Sequence, residues 1–218
     1  MPSATSSNTL YLVRHGENPA NVKREFSYKI LDYSLNERGV RQAEQTASYF
    51  SDHGGIRVDA IFSSPLKRAM ETAQIIGAQT GHDISIIEEF REINCGDFDG
   101  ATPTPAMWEH HDQILAAWRN GDHHVRFPGG EDYHTLLERV RFGLAQAVAG
   151  RNGQNIVIVA HGGIVSCSIK DVCRDLDHEV IRATSNGNCA ITEIDLHTDE
   201  AASWGVLKRW AYSGHLSG

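Results

Sequence analysis

The sequence predicts an α/β fold, a mostly parallel sheet covered by helices on both faces with an inserted helical cap. Three observations carry the prediction. Short runs rich in apolar and β-branched residues recur at 9–13, 59–62, 84–87, 156–160 and 190–196, with the lengths of strands. At least three of them are apolar enough to be buried on both faces. The segments between them carry apolar residues at helical spacing, the alternation that builds a parallel sheet between two helix layers.

The elements follow in order. The strand at 9–13 runs straight into Arg14, His15 and Gly16. From Asn36, the residues Val40, Ala43, Ala47 and Phe50 recur at helical spacing, and Gly54-Gly55 ends that segment. After the strand at 59–62, Ser64-Pro65 reads as an N-cap and first-turn pair; Leu66, Ala69, Ala73 and Ile76 share a face, with Gly81 near the stop. The strand at 84–87 leads to Glu92 and a glycine-rich turn. Residues 101–130 contain no convincing strand. There Thr104-Pro105 starts a helix with Trp108, His111, Leu115 and Trp118 on one side, and "FPGG" ends it, so this segment is expected to be the cap. Further helices are expected over 132–148 and 163–176, on either side of the strand at 156–160. No linker, low-complexity tract or internal repeat divides the chain, and residues 1–218 are expected to form a single domain.

Composition narrows the function classes. The formal net charge is -8, with both signs interspersed, which disfavours nucleic acid or an anionic membrane as a partner. No stretch reaches the roughly 20 apolar residues that a membrane span needs, and the start "MPSATSSNTL" has no basic, apolar leader pattern. The four cysteines, Cys95, Cys167, Cys173 and Cys189, fall in no paired metal spacing and read as reduced thiols. A cytoplasmic protein is expected. The oligomeric state is left open.

The chemistry is concentrated at strand ends. "LYLVRHGENPAN" and "NIVIVAHGGIVSC" share one form: a buried strand, then a histidine, then glycine. In open parallel sheets ligands bind beyond the carboxyl ends of the strands. Arg14, together with the backbone N–H groups and dipole of a helix starting near Gly162, favours an anion there. In "SSPLKRAMETA" Arg68 lies in the first turn of a helix, and a guanidinium offers phosphate two parallel hydrogen bonds. In "FREINCGDFDG", Glu92 follows the third strand, where a carboxylic acid can protonate a departing alkoxide. Two arginines, His15, His161 and helix ends amount to a phosphate site.

These pieces form an ordered set: "RHGE" with Asn21 seven residues after its arginine, "DYSLNERGVRQA", "SSPLKRAMETA", "REINCGDFDG", "PGGE" and "VAHGG". In them the chain resembles the histidine phosphatases, also called the phosphoglycerate mutase-like superfamily, over nearly its whole length. The resemblance implies a three-layer α/β/α sandwich and a phosphatase that hydrolyses small phosphomonoesters. It makes His15 the nucleophile that becomes phosphorylated, Arg14, Arg68 and His161 the holders of the phosphoryl oxygens, and Glu92 the proton donor. Asn21 and Gly162 join them in binding the phosphate. No metal or organic cofactor is implied, and the partner is a small phosphorylated metabolite. Asn18 departs from the threonine usual in the family, and the cap matches no subfamily closely enough to name a substrate.

Each residue has a plainer reading. Arg14 and His15 alone close a strand, His161 alone is a core histidine, Arg68 a solvated helix residue, and Glu92 one of a charge cluster with Glu88, Glu89 and Arg91. Their joint occurrence at successive strand ends favours the site. His110-His111 and His123-His124 complete no tetrahedral metal set. Met107, Trp108, His111 and Phe127 in the cap, and Ser27 and Tyr28 in the loop after His15, are candidates to touch the leaving group, while Trp118 is read as packing. Glu131 is either a rim residue or a helix N-terminal carboxylate, the second being favoured. Two other functions compete with the phosphatase: a cofactor-dependent phosphoglycerate mutase and a non-catalytic phosphate-binding module.

Overall fold

In the first strand, β1 (Ser6–Arg14), Leu10 and Leu12 belong to one buried apolar cluster and Tyr11 and Val13 to another. β4 (Asn155–Ala160) divides in the same way, with Ile156 and Ile158 on one side and Val157 and Val159 on the other. Successive strand residues point to opposite faces, so both faces of this sheet need an apolar cover. The computed structural model, which describes residues 5–51, 55–176, 178–200 and 202–217, supplies a helix layer on each side.

The helices are α1 (Pro19–Lys23), α2 (Glu37–Tyr49), α3 (Lys67–Thr80), α4 (Pro105–Arg119), α5 (Tyr133–Val148), α6 (Gly162–Val172) and α7 (His178–Ala183). Ala47 of α2, with Phe50 after it, and Ala69, Ala73 and Ile76 of α3 cover the Tyr11 face. Leu136 and Leu144 of α5, Ile164 and Ile169 of α6, and Ile114 and Trp118 of α4 cover the Leu10 face. The result is the α/β/α sandwich. Among the described residues no helix is long and apolar enough to cross a membrane.

The other strands are β2 (Ala60–Ser63), β3 (Ile84–Ile86), β5 (Cys173–Arg174), β6 (Ile191–Thr198) and β7 (Ser203–Tyr212), and the sheet order is β3-β2-β4-β1-β6-β7-β5. Four of the six pairings are parallel; β6 runs antiparallel to both β1 and β7. Register sets up the site. Arg14 stands opposite Ala160, and Ser63 opposite Val159, so β1, β2 and β4 end level with one another. The next residues, His15, Ser64 and His161, leave the sheet side by side.

Several expectations shift. Asn36 caps α2 with its side chain, accepting from the Gly39 N–H at 2.8 Å, but Val40 is 37% exposed rather than on the buried face. The stop expected at Gly54-Gly55 falls partly outside the described residues. Ser64 does not cap α3: the N-cap is Leu66, which makes no side-chain cap bond. Thr104 and Pro105 open α4 as expected, the threonine accepting from the Met107 N–H at 3.2 Å. Asp132 caps α5. α6 ends at Val172 rather than Leu176, because the chain turns there into β5 beside β7. Neither α1, β5 nor β7 is apparent in the sequence. β7 hides because its pairing with β6 slips register around Glu193, which breaks the alternation a strand would otherwise show.

The α4 segment rests on the chain that follows His15. The Trp108 ring stacks on Phe26 with centroids 4.2 Å apart, and its indole N–H donates to the Arg24 carbonyl at 3.2 Å. Trp108 thus ties α4 to the chain segment that follows His15.

Candidate active site

His15 leaves β1 with its backbone N–H bonded to the Ala160 carbonyl, and only 3% of it is exposed. Its Nδ1 lies 2.8 Å from the carbonyl oxygen of Gly16. A carbonyl can only accept, so Nδ1 carries the proton and Nε2 keeps a lone pair. Burial holds the imidazole well below its usual pKa, and the positive charges of Arg68 and Arg14 push the same way. A neutral ring whose Nε2 keeps its lone pair is the state a nucleophile needs.

The turn that presents His15 is packed too tightly for any other residue at its glycine. A Cβ on Gly16 would lie 2.5 Å from the Gly39 carbonyl oxygen, and one on Gly39 would lie 2.0 Å from that of Glu17. Glu17 completes the clasp, accepting from Asn36 Nδ2 at 2.9 Å and from Arg38 at 3.1 Å. This joins the "RHGE" and "LNERG" pieces into one unit. Asn18 and Asn21 then cap α1 reciprocally, each side chain accepting from the other's backbone N–H. Asn21 Oδ1 also accepts from Asn188 Nδ2 at 3.0 Å, so any contact with phosphate falls to Asn21 Nδ2.

Arg68, 3% exposed, projects from the first turn of α3 and donates through Nε to His15 Nε2 at 3.2 Å. Its other nitrogens donate to the hydroxyl and the carbonyl of Ser27, at 3.1 and 2.9 Å. The Ser27 loop is itself fastened by Asp99, whose carboxylate accepts the N–H groups of Tyr28, Lys29 and Ile30 at 2.7–2.9 Å. Arg14 donates to the Asn186 carbonyl at 2.6 Å while its Nε, although buried, has no partner. Gly162 lets this guanidinium approach: a Cβ there would lie 3.1 Å from Arg14 Nε.

His161 is wholly buried, with its ring centroid 5.2 Å from that of His15. Burial, with Arg68 next in effect, holds it neutral as well. Its Nε2 lies 2.7 Å from the Ser64 hydroxyl, and its Nδ1 has no hydrogen-bond partner.

Glu92 occupies the start of α6. Its Oε1 accepts the N–H groups of Ile93 and Ile164 at 2.9 and 3.0 Å, and its Oε2 that of Gly163 at 3.1 Å. The helix N-terminus was expected to hold the substrate anion; its second and third N–H groups are instead taken by this carboxylate, and only Gly162 remains for a ligand. A Cβ on Gly163 would lie 2.6 Å from Glu92 Oε1, so glycine is required for the contact. The backbone of residues 89–92 is pinned from behind. Arg139 donates to the carbonyls of Glu89, Arg91 and Glu92 and forms a paired contact with Glu131 at 2.7 and 2.9 Å. Glu131 is therefore neither a rim residue nor an α5 cap: it is 5% exposed and also accepts the Asn94 N–H.

Arg14, His15, Asn21, Arg68, Glu92 and Gly162 line one cavity of about 530 Å³; His161, wholly buried, is not part of the lining but keeps its ring 5.2 Å from that of His15. Trp108, His111, Ser27 and Tyr28 line it too, and Trp118, expected only to pack, forms part of its wall. Met107 and Phe127 do not; Phe127 is wholly buried in the core. Among the described residues no group of three or more His, Cys, Asp or Glu side chains is placed to hold a metal ion. Ser64, Asp99 and Arg139 are the functional neighbours that sequence reasoning missed. Only Asp99 carried a signal, standing in the glycine-rich "GDFDG".

Comparison with known proteins bears on the family of the whole chain. The pattern of the histidine phosphatase superfamily (branch 1) matches residues 10–208. The uncharacterized phosphatase PhoE of Bacillus subtilis is 30% identical over 207 residues, covering 95% of this chain and 96% of that protein. The probable phosphoglycerate mutase GpmB of Salmonella paratyphi B is 30% identical over 204 residues, 90% of each chain. A mycobacterial glucosyl-3-phosphoglycerate phosphatase, solved with VO3, superposes with a TM-score of 0.77 at 28% identity, over 94% of this chain and all of that one. With its buried histidine pair, its two arginines and a match that spans the sheet, this chain belongs to the histidine phosphatase superfamily and is a phosphatase of the kind that works through a phosphohistidine.

Proposed function

We propose that the protein hydrolyses small phosphomonoesters in two displacements at His15, with residues 1–218 acting as one catalytic domain and 101–130 as its cap. In the first, His15 Nε2 attacks phosphorus, the ester P–O bond breaks, and Glu92 gives its proton to the departing oxygen. In the second, water attacks the phosphorus, Glu92 takes the water's proton, and the N–P bond breaks to release phosphate. Arg14, Arg68, His161, Asn21 Nδ2 and the Gly162 N–H hold the three equatorial oxygens, whose charge grows in each transition state. Arg68 also donates through Nε to His15 Nε2, a contact that gives way when that nitrogen attacks phosphorus.

The observation that carries this reading is the fixed tautomer of His15, with Nδ1–H on the Gly16 carbonyl and Nε2 facing Arg68. Two features favour hydrolysis over a mutase reaction. The cavity has the size that takes a drug-sized ligand, on the order of 300–1,000 Å³, far more than phosphoglycerate fills. Its wall includes Glu25, whose Oε2 has no hydrogen-bond partner and would repel a substrate carboxylate. Four free cysteines support a cytoplasmic location, and an acidic chain supports a small metabolite as partner rather than nucleic acid or membrane.

The test is a screen for phosphate release across small esters, run beside an isomerisation assay with bisphosphoglycerate present. Release without isomerisation, together with an acid-labile, base-stable phosphoryl group on His15, is expected. Isomerisation faster than release would make the enzyme a mutase.

A further inference from the structure

We propose that Ser64 is a positioning residue that sets the tautomer of His161, making its Nδ1–H a phosphate donor; this rests on the phosphatase reading above. Ser64 lies one residue beyond β2, and its own N–H donates to the Val159 carbonyl at 2.9 Å, which places it next to the end of β4. It is wholly buried, as is His161. The contact between the Ser64 hydroxyl and His161 Nε2, at 2.7 Å, can be made in two senses: the hydroxyl donates, or the ring does.

The surroundings decide between them. The Leu66 N–H, 3.3 Å away, already donates to Ser64 Oγ. If the ring donated as well, the hydroxyl proton would be left without an acceptor in a buried place, at a cost of about 1–3 kcal/mol. If the hydroxyl donates to Nε2, every group on Ser64 is satisfied. Nδ1 then carries the remaining ring proton, because burial keeps the imidazole neutral. That leaves a buried Nδ1–H with no partner in the protein, in a ring beside the nucleophile, where a phosphoryl oxygen would supply one.

The consequence concerns catalysis more than packing. With the other tautomer, Nδ1 would present a lone pair to a phosphoryl oxygen and repel it. The experiment uses the full chain labelled with 15N, reading the His161 ring nitrogens by NMR, with the resonances assigned by their loss in His161→Gln. Wild type should show a protonated Nδ1 and a bare Nε2. Ser64→Ala should mix or invert that pattern and weaken orthovanadate binding and single-turnover phosphorylation of His15 by about tenfold or more. Ser64→Thr, which keeps the hydroxyl, should retain the wild-type pattern.

A protonated Nε2 in the wild type overturns the proposal, and that measurement needs no variant to fold. So does a folded Ser64→Ala protein with unchanged tautomer and unchanged vanadate affinity. The two readings fail separately. If His15 never becomes phosphorylated while His161 shows the expected tautomer, the phosphatase mechanism is wrong and the Ser64 assignment stands.

Discussion

The ends of β1 and β4 look alike in sequence and differ in chemistry. Each is a buried strand followed by histidine and glycine, and each ring is buried and held neutral. Yet the rings are anchored by opposite nitrogens. His15 is tied down through Nδ1 to its own turn, and His161 through Nε2 to a hydroxyl from the neighbouring strand. The first arrangement leaves the lone pair on Nε2, where Arg68 donates to it, and the second, in the assignment proposed above, leaves an N–H on Nδ1. In the proposed mechanism, which nitrogen is anchored, more than which residue is present, separates the nucleophile from its electrostatic partner.

The strongest challenge to that contrast is deletion. His15→Ala should cost at least about 10⁴ in turnover and abolish covalent labelling, because no covalent route remains. Undiminished turnover in a folded His15→Ala protein would overturn the assignment. Glu92→Gln comes next, and it probes the β4 side, where α6 holds the acid. Single-turnover phosphorylation of His15 from alkyl phosphates should slow by about 10² to 10⁴, with a smaller loss for nitrophenyl phosphate, whose leaving group needs no proton. Equal losses on both would remove Glu92 from the proton transfer.

His161→Gln should lose about 10² to 10³ in the same step while still labelling His15 fully, given time. A loss as large as that of His15→Ala would erase the difference between the two histidines. The smallest effect tests what they share. Burial lowers the folded pKa of both rings below the usual 6.5, and that of His215 to about 4. The unfolded chain therefore binds protons first as pH falls, so this part of the stability is present above pH 6.5 and is lost progressively below it. Calorimetric Tm should drop between pH 7 and 5, and His15→Ala or His161→Gln should each flatten that slope. A slope unchanged in both variants would mean that neither ring is neutral in the fold.

Strand ends bearing Arg14, His15, Glu92 and His161 were legible because strand, histidine and glycine are adjacent in sequence. What escaped was support from a distance. Ser64 and His161 are 97 residues apart, and the Arg139 guanidinium meets the carbonyls of residues 89–92 from 47 to 50 positions away. Local rules then misread these groups: serine before proline looked like a cap, and glutamate before α5 looked like a helix-end charge. Both belong to buried polar pairs that only the tertiary fold creates. β7 escaped for a different reason, a register slip that spoils its period.

Asp99 grips the loop after His15 only through backbone N–H groups. Such a grip is indifferent to the side chains it carries. Tyr28 lines the cavity while Lys29 and Ile30 are exposed, and the bonds that their N–H groups donate to Asp99 can be kept by any residue but proline at these positions. Substrate preference can therefore drift in evolution, or be selected in the laboratory from randomised codons at these positions, while the phosphoryl-transfer machinery stays in place. A lineage that kept one carboxylate could explore many leaving groups.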